Sequence, residues 1–305
     1  MSENIEFINR KSEQVEIEKV YGDGFIKFLY QNQLGKKIGR AFTNKYFSQA
    51  YGWAQDQTFS KKKVRPFIEN FNIPIDLFEP GSDPSNDIRD SYKNFNEFFI
   101  RKYKPYARQF VSDNQRMPAF AEARYVGYSE VKSNDVFPVK GYDLKAADLL
   151  DNSELAKIFN GGPLLIARLC PVDYHRYHYP DDGECLESYR CHGEYHSVNP
   201  LALKFKSQIF VKNERHVSIL KTKNFGRLAY IEVGAICVGK IVQSHSLKKP
   251  FKRGDEKGYF LFGGSTVIVL GEKGAWAPSA DIEKNTKNGI ETYIELGDEV
   301  GVKLF

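Results

Sequence analysis

Tyr259-Phe260-Leu261-Phe262-Gly263-Gly264-Ser265-Thr266-Val267-Ile268-Val269-Leu270 decides how this chain is read. Two apolar runs, 259–262 and 267–270, flank a turn made only of small residues. Glycine supplies positive φ without steric cost, so an ordinary hairpin is one reading of the turn. The same freedom lets the backbone bend until the Ser265 hydroxyl reaches the Gly264 carbonyl just before it. The flanking runs, rich in β-branched and aromatic residues, read as strands.

Outward from that turn the texture stays β-like. From about residue 117, short apolar runs at 164–169, 217–220, 228–233 and 235–242 alternate with Gly, Pro and Asn. The C-terminal stretch 291–302 reads as strand, tight turn, strand. The first third instead has helical spacing: Phe25, Phe28, Leu29, Leu34, Ile38, Phe42 and Tyr46, then Val64, Phe67, Ile68 and Phe71 before Pro74. Together these predict an α+β fold: a helical N-terminal layer over 1–110, packed on a largely antiparallel β core over 111–305.

The 305 residues, 41% hydrophobic and 27% charged, suit a folded chain with a sizeable core. A net charge of +5 permits contact with an anionic surface, and no nucleic-acid motif is present. Lys61-Lys62-Lys63 with Arg65 reads either as a solvated face or as a patch drawn to acidic headgroups. Cys170, Cys185, Cys191 and Cys237 form no CxxC pair; reduced thiols are expected, with Cys185–Cys191 the one conceivable bridge. No signal pattern and no 18-residue apolar stretch occurs, so the expectation is a peripheral protein at the cytoplasmic face of a membrane.

Asp173-Tyr174-His175-Arg176-Tyr177-His178 is the second chemical element. Two histidines three apart lie near one another only in a bend, which Pro171 and Pro180 favour. They suit proton transfer to and from an activated serine, or a packed pair without a catalytic role. A zinc site that adds His192 is a weaker reading, because metal spacing is lacking. Glu122 is the lone carboxylate in an apolar run; it reads either as a partner of Arg124 or as an orienting acid for a His–Ser pair.

Phe95-Asn96-Glu97-Phe98-Phe99-Ile100-Arg101, the DYHRYH segment, Gly193–Pro200, Val233–Gly239 and Phe262–Val267 occur in the order seen in phosphatidylserine decarboxylase proenzymes, which this chain resembles over about residues 60 to 305. The resemblance implies a pyruvoyl enzyme. Ser265 attacks the Gly264 carbonyl, the ester eliminates, and a pyruvoyl group caps a small chain, 265–305, that stays bound to the large chain, 1–264. It implies that His178 serves self-processing and His175 the decarboxylation, in which the substrate amine forms a Schiff base with the pyruvoyl group, carbon dioxide leaves and phosphatidylethanolamine is released. Glu122 stands where the family has an Asp followed by Gly. Phosphatidylserine in an anionic membrane is the implied substrate, with no metal, and a homodimer is the common state of relatives. Phosphate recognition is left open between backbone amines near 197–199 and a basic residue. Two other readings are weighed: a lipid-binding homologue that stays uncut, and a pyruvoyl decarboxylase of a small soluble amino acid.

Overall fold

The computed structural model describes residues 5–19, 45–131, 146–198, 209–235, 240–263 and 265–304. The chain opens with a hairpin, β1 (Glu6–Asn9) and β2 (Gln14–Ile17), followed by α1 (Lys45–Asp56), α2 (Val64–Phe71) and α3 (Phe95–Phe99). Strands β3 (Arg116–Pro118) and β4 (Ala123–Val131) precede α4 (Ala146–Leu150) and α5 (Ser153–Ile158). Then come β5 (Gly162–Leu169), β6 (Arg176–His178), β7 (Gly183–Cys191), α6 (Ile209–Lys212), β8 (Arg215–Thr222), β9 (Arg227–Val233) and β10 (Ile241–Gln243). The last elements are β11 (Glu256–Phe260), β12 (Ser265–Gly271), β13 (Trp276–Pro278), α7 (Ala280–Lys287), β14 (Glu291–Ile294) and β15 (Glu299–Lys303).

Nine strands form one sheet in the order β2-β1-β14-β4-β5-β12-β9-β8-β7, antiparallel except where β1 meets β14. This is the α+β architecture expected. β12 lies between β5 and β9 with every residue buried, consistent with an unbroken apolar run rather than an alternating one. Ser265, its first residue, pairs with Leu169. A second sheet, β10-β11-β6, carries the run-up to the Gly-Gly turn, and a third, β13-β15-β3, closes one side.

The structure decides between the two readings of the Gly-Gly turn. The 263–265 turn is not a hairpin: β11 belongs to the small sheet and β12 to the large one, so the chain changes sheets at Gly263, whose φ is 144°. The 291–302 stretch is strand, turn, strand as expected, with β14 in the large sheet and β15 in the third. The N-terminal segment adds the β1–β2 hairpin to the sheet before any helix begins. The expected helix across Phe25–Phe42 falls outside the described residues apart from its neighbour α1. Cys170, Cys185 and Cys191 are free thiols, so Cys185 and Cys191 do not bridge; Cys237 lies outside the described residues.

The core has two parts. One is the large sheet with its helices. The other gathers Val64, Phe67, Ile68, Phe95, Phe98 and Phe99 from the helices with Tyr174 and Phe262 from the two chemical motifs. Asn94 caps α3 by accepting from the Glu97 N–H at 2.8 Å, and Glu97 returns a bond to the Lys93 N–H. That short helix therefore faces the chemistry with its aromatic side.

Candidate active site

Ser265 is fully buried, and its Oγ lies 3.2 Å from His175 Nδ1. The other ring nitrogen, Nε2, is 2.8 Å from the Cys170 carbonyl. A carbonyl only accepts, so the proton sits on Nε2 and the Nδ1 lone pair faces the hydroxyl. Burial pushes the His175 pKa down to about 3, against the raising effect of the Cys170 bond. The ring is thus neutral at physiological pH, an acceptor aimed at Ser265. Phe99 stacks on it at 3.9 Å between ring centres.

His178, three residues on, is turned elsewhere. Its Nδ1 donates to the Gly254 carbonyl at 2.9 Å, and Nε2 faces the Tyr174 hydroxyl at 3.4 Å. Burial lowers its pKa as well. The bend expected between the prolines separates the two rings: His175 sits ahead of β6, whereas His178 ends it. Of the four predicted catalytic side chains, the structure brings Ser265 and His175 into contact; His178 and Glu122 bond to other groups. Gly264 lies outside the described residues.

Glu122 is buried and accepts from the Tyr103 hydroxyl at 2.7 Å, Arg108 Nε at 2.7 Å and the Tyr293 hydroxyl at 2.9 Å. Its ion-pair partner is Arg108; the neighbouring Arg124 pairs instead with Asp173 and Glu18. Burial would raise the Glu122 carboxyl, but the Arg108 guanidinium outweighs it and holds the pKa below the usual range. Tyr103 packs on Tyr174, at 4.5 Å between ring centres, so Glu122 reaches the His178 surroundings through two tyrosines.

Sequence reasoning missed the groups that hold these side chains in place. Asp173 Oδ2 takes 2.6 Å bonds from both Arg124 Nη1 and the Cys170 N–H, fixing the loop whose carbonyl binds His175. Glu18 completes the cluster: its carboxylate lies 3.2 Å from Arg124 and 2.6 Å from Arg168. Asn96 Oδ1 accepts from the Phe262 N–H at 3.0 Å, while its amide donates to Gly52 O and Asp56 Oδ1. Arg101 donates to the carbonyls of Val172 and Asp173. The polar members of the 95–101 motif thus fasten both chemical segments, one residue each. The motif spacing was the available signal; its partners, more than 70 residues away, were not. Among the described residues no three metal-type side chains converge, and His175 Nε2 is already engaged by a carbonyl.

The arrangement can deprotonate a serine in a dry, aromatic-lined site. Comparisons with known proteins agree in order and extent. The family model described as phosphatidylserine decarboxylase matches residues 95–301. A Clostridium perfringens protein named phosphatidylserine decarboxylase proenzyme is 40% identical over 300 residues, covering 98% of this chain and 100% of its own. Proteins of the same name from Clostridium kluyveri and Clostridium novyi are each 39% identical, covering 98% of this chain and 99% and 100% of theirs. The chain belongs to the phosphatidylserine decarboxylase family.

Proposed function

We propose that the chain is a phosphatidylserine decarboxylase that makes its own prosthetic group by cutting itself between Gly264 and Ser265. The observation that carries this reading is the Ser265 hydroxyl, sealed from water and facing the unprotonated nitrogen of a neutral histidine. The hydroxyl proton passes to His175 Nδ1 as Oγ bonds to the Gly264 carbonyl carbon. The proton then goes to the departing peptide nitrogen, so that an amide becomes an ester. Loss of the Ser265 Cα proton expels the Gly264 carboxylate; the dehydroalanine left behind takes up water as its imine and releases ammonia.

A buried, apolar surround with one neutral acceptor fits the resulting ketone, which must be kept from bulk water. The pyruvoyl group supplies an electron sink for the pair left when the substrate carboxylate departs as carbon dioxide. His175 is the side chain within reach of position 265 and carries the proton that the former α-carbon takes up. His178 serves self-processing as a positioning residue, without which the turn is not seated for the cut, while His175 is the base that faces the hydroxyl. In support, the His178 bond to Gly254 fixes its tautomer and tethers the segment that runs through β11 into the turn. Glu122 acts at longer range, holding Tyr103 against Tyr174 and so the hydroxyl that faces His178.

The large and small chains stay together, the mature enzyme is a homodimer, and phosphatidylserine is taken from an anionic bilayer at the cytoplasmic face. No described helix is long and apolar enough to cross a membrane, which suits peripheral attachment. Intact-mass measurement of the purified protein tests the proposal: two chains, 1–264 and a pyruvoyl-capped 265–305, are expected. Ser265→Ala stays whole and inactive, and His178→Ala stays whole. His175→Ala is cut slowly and releases no carbon dioxide; Glu122→Ala slows cutting. A native protein found only as one unbroken chain refutes the proposal.

A further inference from the structure

Three polar side chains on neighbouring strands line up away from the Ser265 site. Ser188 on β7, His216 on β8 and Glu232 on β9 share one face of the large sheet: Arg190, two residues after Ser188, pairs with His216, and His216 pairs with Glu232. Ser188 Oγ lies 3.1 Å from His216 Nε2, and His216 Nδ1 lies 3.2 Å from Glu232 Oε2. Three strand spacings, roughly 14 Å, separate β7 from β12.

Proton positions follow from the partners. A carboxylate only accepts, so Nδ1 carries the hydrogen and the Nε2 lone pair faces the Ser188 hydroxyl. Gln243 Nε2 also lies 3.1 Å from Nδ1, but its own hydrogens have Glu232 Oε2 and the Tyr177 hydroxyl to meet, each at 3.4 Å. Lys257 sets that amide's orientation by donating to Gln243 Oε1 at 2.8 Å. Lys257 also pairs with Glu232, and both side chains are fully buried. Burial alone would raise the Glu232 carboxyl; Lys257 and His216 outweigh it and hold it below the ordinary range. The acid is therefore ionised and sealed, whereas His216 is 13% exposed and Ser188 is partly open to solvent.

We propose that Ser188, His216 and Glu232 form a second active centre, a serine hydrolase triad that cleaves small carboxylic esters. Such a triad is defined by geometry and roles, with the hydroxyl on one ring nitrogen and the acid on the other. The backbone beside Ser188 supplies the remaining parts. β7 is the outer strand of the sheet, and its register slips between Cys185 and Glu187, leaving an extra residue two positions before the serine. N–H groups at that bulge and on the outer edge are the donors for a developing oxyanion. The extra residue is Leu186, 52% exposed, an apolar contact for a short acyl group. In the reaction, Ser188 Oγ bonds to the ester carbonyl carbon while its proton passes to Nε2. The C–O bond to the alcohol then breaks, and that proton leaves with the alcohol. Water attacks the acyl-serine and gives a proton to Nε2, which returns it to Oγ as the carboxylic acid departs. Ester and water become acid and alcohol, with no other reactant.

The processed full-length protein is treated with a fluorophosphonate, which phosphonylates activated serines, and is assayed on p-nitrophenyl butyrate. One adduct is expected, mapped by peptide mass to Ser188 on the large chain. Ser188→Ala loses the adduct and the hydrolysis, with melting and chain scission unchanged. His216→Ala slows labelling about 100-fold or more. Glu232 is a positioning residue; Glu232→Gln, made with Lys257→Met so that no charge is stranded, lowers kcat at least about 100-fold at unchanged KM. The inference is overturned by an absent adduct, by an adduct elsewhere instead, or by hydrolysis undiminished in Ser188→Ala. It is overturned too if the Glu232→Gln and Lys257→Met double variant is folded and hydrolyses as fast as the parent, since the three side chains would then be a structural network only. Peptide mapping separates Ser188 from Ser265, so an uncut chain labelled at Ser188 would count against self-scission and leave this centre standing.

Discussion

Asp173→Asn is the most searching single change, because it removes one charge and keeps the shape. In the native chain the carboxylate faces Arg124 at 2.6 Å and receives the Cys170 N–H at the same distance, both inside the protein. Breaking a buried pair from one side costs about 3–5 kcal/mol, since the remaining charge has lost its partner. Arg124 keeps Glu18 at 3.2 Å, which places the loss near the lower end, about 3 kcal/mol. That is a large share of the roughly 5–15 kcal/mol that holds a typical domain together. The second consequence is geometric. The Cys170 carbonyl fixes the His175 ring, and a displacement of about 1 Å in such a site costs on the order of 100-fold in rate. Thermal melting and a time course of chain scission on gels read the two effects separately. The variant should melt at least about 5 °C lower and be cut about 100-fold more slowly. Wild-type scission in a destabilised variant would show that the loop does not position His175; unchanged melting would show that the Arg124 pair is not a buried debt.

Four further outcomes follow from the same geometry. Stability should fall on acidification in two overlapping windows: keeping His175 neutral stabilises the fold fully above pH 6.5 and is lost as pH falls toward about 3. The Glu18 pairing, in which Arg168 and Arg124 outweigh burial, is complete above about 4.5 and lost toward about 2, so urea midpoints at pH 7 and pH 4 must differ. Lys257→Met leaves the fully buried Glu232 without its ammonium and should cost about 3–5 kcal/mol in urea melts, most of it recovered by adding Glu232→Leu. Thr266 Oγ1 is buried without a partner, so Thr266→Val should gain about 1 kcal/mol with scission intact; loss of scission would give that hydroxyl a chemical role. Gly258→Ala would put a methyl 2.1 Å from the Val242 carbonyl and 2.5 Å from the Tyr177 hydroxyl, so slower scission and a drop of about 1–3 kcal/mol are expected in a gel and melt.

What the sequence made legible was local. The strands 164–169, 217–220, 228–233 and 267–270 lie inside β5, β8, β9 and β12, and the helical face of Val64, Phe67 and Ile68 is buried as its spacing requires. Partner choice was not legible, because periodicity fixes which face is buried and says nothing of what lies against it. Hence the Gly-Gly turn, for which a hairpin was one of two readings, crosses between sheets, and the two strands of 291–302 go to different sheets. Ser265 and His175 meet across 90 residues, whereas His178, the histidine expected to serve self-processing, faces Tyr174 and Gly254. The ties that Asn96, Arg101, Asp173 and Glu18 make to that pair depend on long-range contacts of polar side chains, whose chemistry is the same on a surface as in a core. Glu122 illustrates the ambiguity: an ion pair was one of its two readings, yet the guanidinium that binds it comes from Arg108, 14 positions away.

The place of β12 in the sheet has a consequence for how the molecule matures. Residue 265 opens a strand hemmed in on both edges, and the segment after it supplies β13 and β15 to one sheet and β14 to another. On the proposed scission, the smaller product is woven through the larger one rather than resting on it. The two could not be made apart and simply mixed, because neither has a finished sheet to offer the other. Since the hydroxyl meets its histidine only after strands from both halves have zipped together, the cut also certifies assembly: a misfolded precursor stays whole and inert.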